Sequence, residues 1–124
     1  MTEIVKGVDC IELVIAYLNP LVVPGVYGRI PRERPPRFYR VSSAGGEGFD
    51  GKLVYRAAVT IEAWGPDEPT AHGDLLLATA LLEADPLRFY AECSAPVSLP
   101  DPDSGSARFL STCQLAVRGS VYNP

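Results

Sequence analysis

The chain has one histidine, one tryptophan and three cysteines among its 124 residues, and each scarcity excludes a chemistry. With His72 alone, any imidazole-based triad or two-histidine metal site must use that residue, which falls in the first turns of an expected helix with no nucleophile motif beside it. It reads as a solvent-facing helical histidine. No C-x-x-C or H-x-x-x-H pair is present, so the close ligand spacing of a zinc site is missing. Cys10, Cys93 and Cys113 are widely separated and odd in number, and no basic-then-apolar export signal opens the sequence, so free, buried thiols are expected. No apolar run approaches the length of a membrane span, which predicts a soluble protein with no membrane partner. Gly45-Gly46-Glu47-Gly48 lacks the Lys-Ser/Thr of a phosphate-binding loop, and Asp101-Pro102-Asp103-Ser104-Gly105 lacks the third acid and the distal glutamate of a calcium loop. No cofactor is expected, and catalysis finds no support.

What is present describes an ordinary globular domain. Hydrophobic residues make up 47% and charged residues 21%, enough for one domain over residues 1–124 with a modest core. The net charge of −4 argues against a nucleic-acid footprint spread over the surface, so no specific nucleic-acid binding is expected. The charge is unevenly placed, with Arg29, Arg32, Arg34, Arg37 and Arg40 in one short reach and acids at Asp67-Glu68 and at Asp101 and Asp103. Two readings of the arginine run stand side by side. One is a solvated basic loop; the other is a contact surface for an acidic partner, which includes the acidic turn of a neighbouring copy. Interleaving with proline, Phe38 and Tyr39 is the composition of an interface.

Asp9, with Glu12 three residues on, forms a capping box, and Ile11, Val14, Ile15 and Leu18 then follow at helical spacing until Asn19-Pro20. Ile4, Val5 and Val8 either extend that helix or form a leading arm. A short strand is expected over residues 26–30, at an edge because of its prolines, and another over 37–43. Residues 44–51 carry four glycines and read as a mobile loop or wide hairpin turn. The longest strand covers 53–64, with Tyr55, Ala57, Val59, Ile61 and Ala63 on an apolar face and Arg56, Thr60, Glu62 and Trp64 on the other. A second helix over 67–84 starts at Asp67 or Glu68 and tolerates Pro69 in its first turn; Leu76, Leu77 and Leu81 widen its stripe, so it is expected to be covered over much of its circumference. An irregular strand spans 87–97. After the stiff turn at 99–105, a strand from Arg108 alternates Phe109, Ser111, Cys113, Leu115 and Val117 on one face with Arg108, Thr112, Gln114 and Arg118 on the other. The order predicts an α+β fold, a mostly antiparallel β-sheet with two α-helices packed on one face.

Three stretches carry a resemblance. Arg34-Pro35-Pro36-Arg37-Phe38-Tyr39-Arg40-Val41 followed by Gly45-Gly46, Val59-Thr60-Ile61-Glu62-Ala63-Trp64-Gly65-Pro66-Asp67, and Pro96-Val97-Ser98-Leu99-Pro100-Asp101-Pro102-Asp103-Ser104-Gly105 followed by Arg108-Phe109 and Val117-Arg118-Gly119 are similar to tail terminator proteins of long-tailed phages of actinobacteria. The first helix, over 9–18, also fits, so the likeness covers almost the whole chain. The resemblance implies a non-enzymatic virion protein, assembled in the host cytoplasm, that forms a ring, generally a hexamer, on the head-proximal end of the tail. Such a ring stops polymerisation of the major tail tube protein and offers a surface to the head–tail connector or stopper. On that footing Arg34, Arg37 and Arg40 are expected to pair with Asp101 or Asp103 of the adjacent subunit, with Arg108 at the same subunit or tube interface. The loops at 44–52 and 99–106 are expected to cover the tube edge. The alternatives are another head–tail neck protein (adaptor or stopper) and, more distantly, a small ligand-binding α+β domain.

Overall fold

Asp9 starts the first helix as its sequence predicts: its Oδ1 accepts the Glu12 backbone N–H at 3.1 Å, and α1 runs Cys10–Leu18. In this computed structural model, which describes residues 3–51 and 53–123, Asp67 does the same for α2, Glu68–Glu83, accepting from Thr70 N at 2.8 Å. Each cap satisfies one of the N–H groups that a helix start leaves orphaned. The strands are β1 Val5–Lys6, β2 Gly25–Tyr27, β3 Phe38–Asp50, β4 Val54–Gly65, β5 Tyr90–Cys93, β6 Val97–Ser98, β7 Ala107–Arg118 and β8 Ser120–Val121.

The main sheet has the order β2-β3-β4-β7-β5, with β6 pairing β7 beyond the end of β5. All neighbours are antiparallel except β2 and β3, which are parallel. Both helices pack on one face: Val14 and Leu18 of α1 and Ala71, Leu75, Ala78 and Leu82 of α2 form one core with Tyr39, Val41, Val59, Ile61, Ala63, Phe109, Cys113 and Leu115. A nine-residue helix such as α1 is marginal alone and owes its stability to this packing. Two long-range hydrogen bonds fix the layer, Tyr17 Oη to the Leu81 carbonyl and Tyr39 Oη to the Asp74 carbonyl, both 2.7 Å. The fold is thus the expected α+β arrangement.

Several local expectations change. Residues 44–50 are not a loop: β3 continues to Asp50 through register shifts between Ser43 and Gly45 and between Gly45 and Gly48. The glycines that resembled turn punctuation sit at these irregularities with positive φ; Gly46 has φ 109°, and a Cβ there would lie 2.6 Å from Ala57 Cα. Lys52, the last residue of the loop expected to cover a tube edge, lies outside the described residues. The short edge strand is Gly25–Tyr27, displaced toward the N-terminus from its expected position. Ile4 and Val5 extend no helix; β1 pairs with β8 in a separate ribbon, Val5 opposite Val121. Leu76 and Leu77 are about half exposed, so α2 is covered on its sheet side only. Finally, Cys93 and Cys113 are not free thiols. They lie directly opposite each other on β5 and β7, with Cα atoms 4.0 Å apart, and are disulfide-bonded; Cys10 alone is free and buried. Wide separation in sequence hid a pair that sheet register brings together.

Candidate interaction surface

Strand alternation puts Arg40, Glu62 and Trp64 on the face away from the helices, where half-exposed polar residues are expected. Instead Trp64 is 2% exposed and Glu62 4% exposed. A second, smaller core covers this end of the sheet, and it is built row by row. In one row Phe38, Trp64 and Arg108 are neighbours on β3, β4 and β7; in the next stand Arg40, Glu62 and Leu110. The Phe38 ring stacks on Trp64 with centroids 5.2 Å apart. The guanidiniums of Arg108 and Arg34 lie 5.1 Å and 5.2 Å from the centre of the Trp64 ring, in the range where the ring quadrupole attracts a cation.

Glu62 supplies the negative charge at the centre. Its Oε2 accepts from Arg40 Nη1 at 3.3 Å and its Oε1 from Arg108 Nη1 at 3.4 Å. A carboxylate this buried is tolerated only with such partners. Arg108 also donates from Nε to the Leu99 carbonyl at 2.8 Å, which ties the turn after β6 to the cluster. The turn is rigid in its own right. Asp101 Oδ2 accepts from Ser104 N at 3.0 Å and Ser104 Oγ at 2.5 Å, the Gly105 N–H donates to the Asp101 carbonyl at 2.8 Å, and Gly105 takes φ 71°. Arg34 Nη1 reaches the same Oδ2 at 3.4 Å. The hydrogen bonds from Ser104, with the Arg34 guanidinium behind them, hold the Asp101 carboxyl below its ordinary value of 3.8.

The arginines expected to seek an adjacent subunit therefore have partners in their own chain. Arg34 meets Asp101 of the same molecule, and Arg40 and Arg108 share Glu62. Arg37 leaves the cluster altogether and forms a bidentate pair with Asp74 on α2, at 2.7 and 3.0 Å. Asp103 is exposed and makes no ion pair among the described residues, as do Arg29 and Arg32. Glu62 and Trp64 are the members that sequence reasoning missed as buried. Their signal was there, a lone tryptophan and a glutamate spaced two apart at the end of a strand, but period-two alternation assigns that face to solvent.

Beside Trp64 a shallow groove of about 250 Å³ runs between Arg34-Pro35-Pro36 and Gly65-Pro66, with Ser106 at its side. Its walls are proline, aromatic ring and arginine stem, a composition suited to packing against another surface. His72 is exposed on α2 and stacks on Phe109, centroids 4.8 Å apart. Among the described residues no group of three or more His, Cys, Asp and Glu is placed to hold a metal ion, and no helix is long and apolar enough to cross a membrane. No protein-family model matches the chain, and no curated protein matches it in sequence.

Proposed function

We propose that this chain is a structural virion protein of the tail-terminator type. As a homo-hexameric ring it closes the head-proximal end of a phage tail tube, stops the addition of tube subunits and gives the head–tail connector a surface to join. It has no catalytic role. One observation carries the reading: the three stretches through which the sequence resembles terminators, far apart along the chain, converge on a single cluster. Arg34, Phe38 and Arg40 come from the first, Glu62 and Trp64 from the second, and Leu99, Asp101, Ser104 and Arg108 from the third. The blocks reach the neighbouring strands β3, β4 and β7, so the residues that carry the likeness occupy one end of one face of the sheet.

The cluster suits a cap because it is stiff before it meets anything. The turn at 99–105 is held by Asp101, Ser104 and Gly105, and its stem is tied to Trp64 through Arg108. A preorganised loop loses little conformational entropy on docking, so a modest contact suffices to hold a ring on a tube. The exposed members, Asp103, the Arg34 head and Pro66, supply the outward surface. The test is to add the purified protein to polymerising subunits of its cognate tail tube and measure tube length by electron microscopy. Short, ring-capped tubes are expected, at substoichiometric ratios to tube protein. Unchanged tube lengths overturn the reading; unchanged lengths with binding to the connector assign the chain to the adaptor or stopper class.

A further inference from the structure

Trp64 is buried on the helix-free face, yet its indole Nε1–H has no hydrogen-bond partner among the described residues. Buried polar groups are nearly always paired, and a donor left without an acceptor is a cost that an incoming oxygen removes. The same tryptophan lines the groove of about 250 Å³ between Arg34-Pro35-Pro36 and Gly65-Pro66. Arg40 Nε is unpartnered as well, but Arg40 does not line that groove. The volume holds a short stretch of extended chain and not a helix, which is about 10 Å across. The walls select further. An indole N–H and a guanidinium donate and cannot accept. Pro35, Pro36 and Pro66 have no N–H, so a chain laid here finds few main-chain donors to form a ladder with. The groove therefore favours a ligand rich in acceptors, poor in donors and able to lay flat rings on an aromatic one. A proline-rich chain in the polyproline II form has all three properties: carbonyls free of internal hydrogen bonds, no N–H at proline, and ring faces suited to aromatic walls.

We propose that this groove binds a proline-rich segment of a partner protein in the polyproline II conformation, one carbonyl accepting from Trp64 Nε1–H and a proline ring seated between Pro36 and Pro66. Arg34 is the cover. Its guanidinium lies 5.2 Å from the centre of the Trp64 ring, its side chain is 41% exposed, and its bonds to Asp101 Oδ2 and Ser104 Oγ are both long at 3.4 Å. The incoming chain displaces that guanidinium from the ring, while Phe38 and Arg108, on the neighbouring strands, keep the indole in place. The ligand needs no charge, because shape and one hydrogen bond to a buried donor set the contact. Such a site adds a partner to the terminator reading and does not depend on it, since capping a tube neither requires nor excludes it.

Trp64 is the sole tryptophan, so a heteronuclear NMR spectrum of the full chain holds one indole N–H resonance, and it sits at the site. The probe is decaproline, titrated beside a glycine–serine peptide of equal length. Decaproline is expected to move the indole resonance downfield along one saturable curve with Kd below about 1 mM, and the glycine–serine peptide to leave it in place. Pro66 is exposed, so Pro66→Asp retains the fold, which far-UV circular dichroism checks; its carboxylate competes for the groove's donors and is expected to raise Kd about tenfold. Arg34→Ala removes the cover and is expected to bind decaproline at least as tightly as wild type. No movement of the resonance at about 1 mM decaproline overturns the site. An equal movement with the glycine–serine peptide does so too, as does an unchanged Kd in Pro66→Asp or a weaker one in Arg34→Ala. Tube capping is measured apart, so decaproline binding and capping each fail or succeed without the other.

Discussion

Truncating Trp64 to alanine tests whether the helix-free face holds a second core. The ring is 2% exposed, stacked on Phe38 and approached by two guanidiniums. Removal of a buried tryptophan costs roughly 3–5 kcal/mol in transfer and cavity terms. Here the adjoining groove admits water to part of the space that the ring leaves, which places the cost near the lower end, about 3 kcal/mol. With a urea dependence of about 1.5 kcal/mol per molar, the unfolding midpoint is expected to fall by about 2 M. Trp64 is the sole tryptophan, so intrinsic fluorescence is lost with it and far-UV circular dichroism is the signal to follow. Trp64→Phe keeps a ring between Phe38 and Arg108 and is expected to lose only about 1 kcal/mol. Val23→Ala, on an almost fully exposed side chain, is the control and is expected to stay within about 0.5 kcal/mol of wild type. If Trp64→Ala moves the midpoint no more than that control does, the face is not a core and the cluster does not hold the turn.

Three other outcomes follow from the same contacts. Asp101 is held ionised by Ser104 and Arg34, so its folded-state pKa lies below the unfolded one; its contribution is complete above the ordinary value of 3.8 and is lost as pH falls through the lower folded value. Acid titration of stability is therefore expected to be shallower in Asp101→Asn over that window, and an unchanged slope counts against the turn's hydrogen bonds. The Cys93–Cys113 bond closes a loop with a sequence separation of 20, for which chain entropy gives about 3 kcal/mol; reduction is expected to lower the urea midpoint accordingly, and a non-reducing peptide map to contain the linked pair. Gly46→Ala places a Cβ 2.6 Å from Ala57 Cα at φ 109° and is expected to cost about 2 kcal/mol or more, whereas Gly45→Ala, at φ 86° with open space around it, is expected to cost about 1 kcal/mol in thermal or urea unfolding.

The elements that rest on local chemistry were legible in the amino-acid sequence. Asp9 and Asp67 announce their helices because a carboxylate beside free N–H groups is a short-range arrangement, and β7 announces itself because every second residue from Phe109 to Val117 is buried. What was not legible depends on partners distant along the chain. Cys93 and Cys113 look unrelated until the register of β5 on β7 places them opposite each other. Residues 44–50 look like a loop because glycine marks turns and bulges alike, and only pairing with β4 distinguishes the two. The arginines were visible as a contact surface, but a linear sequence does not say whether the contact is inside the molecule. Arg34 finds Asp101 only because residues 28–37 and 99–106 both come to the end of β4, and Arg40 finds Glu62 only because the register of β3 on β4 sets them opposite each other.

The small ribbon of β1 and β8 has a practical consequence. Val5 faces Val121 and Lys6 faces Ser120 across it, and the Tyr122 N–H donates to the Ile4 carbonyl at 2.8 Å. Any polypeptide joined before β1 and any joined after β8 thus departs from the same spot. Affinity tags or fluorophores fused at either side report on one place, and two halves of a split reporter fused at the two sides are already in reach of each other. A short linker across that ribbon makes this chain a natural candidate for circular permutation, with new ends opened elsewhere.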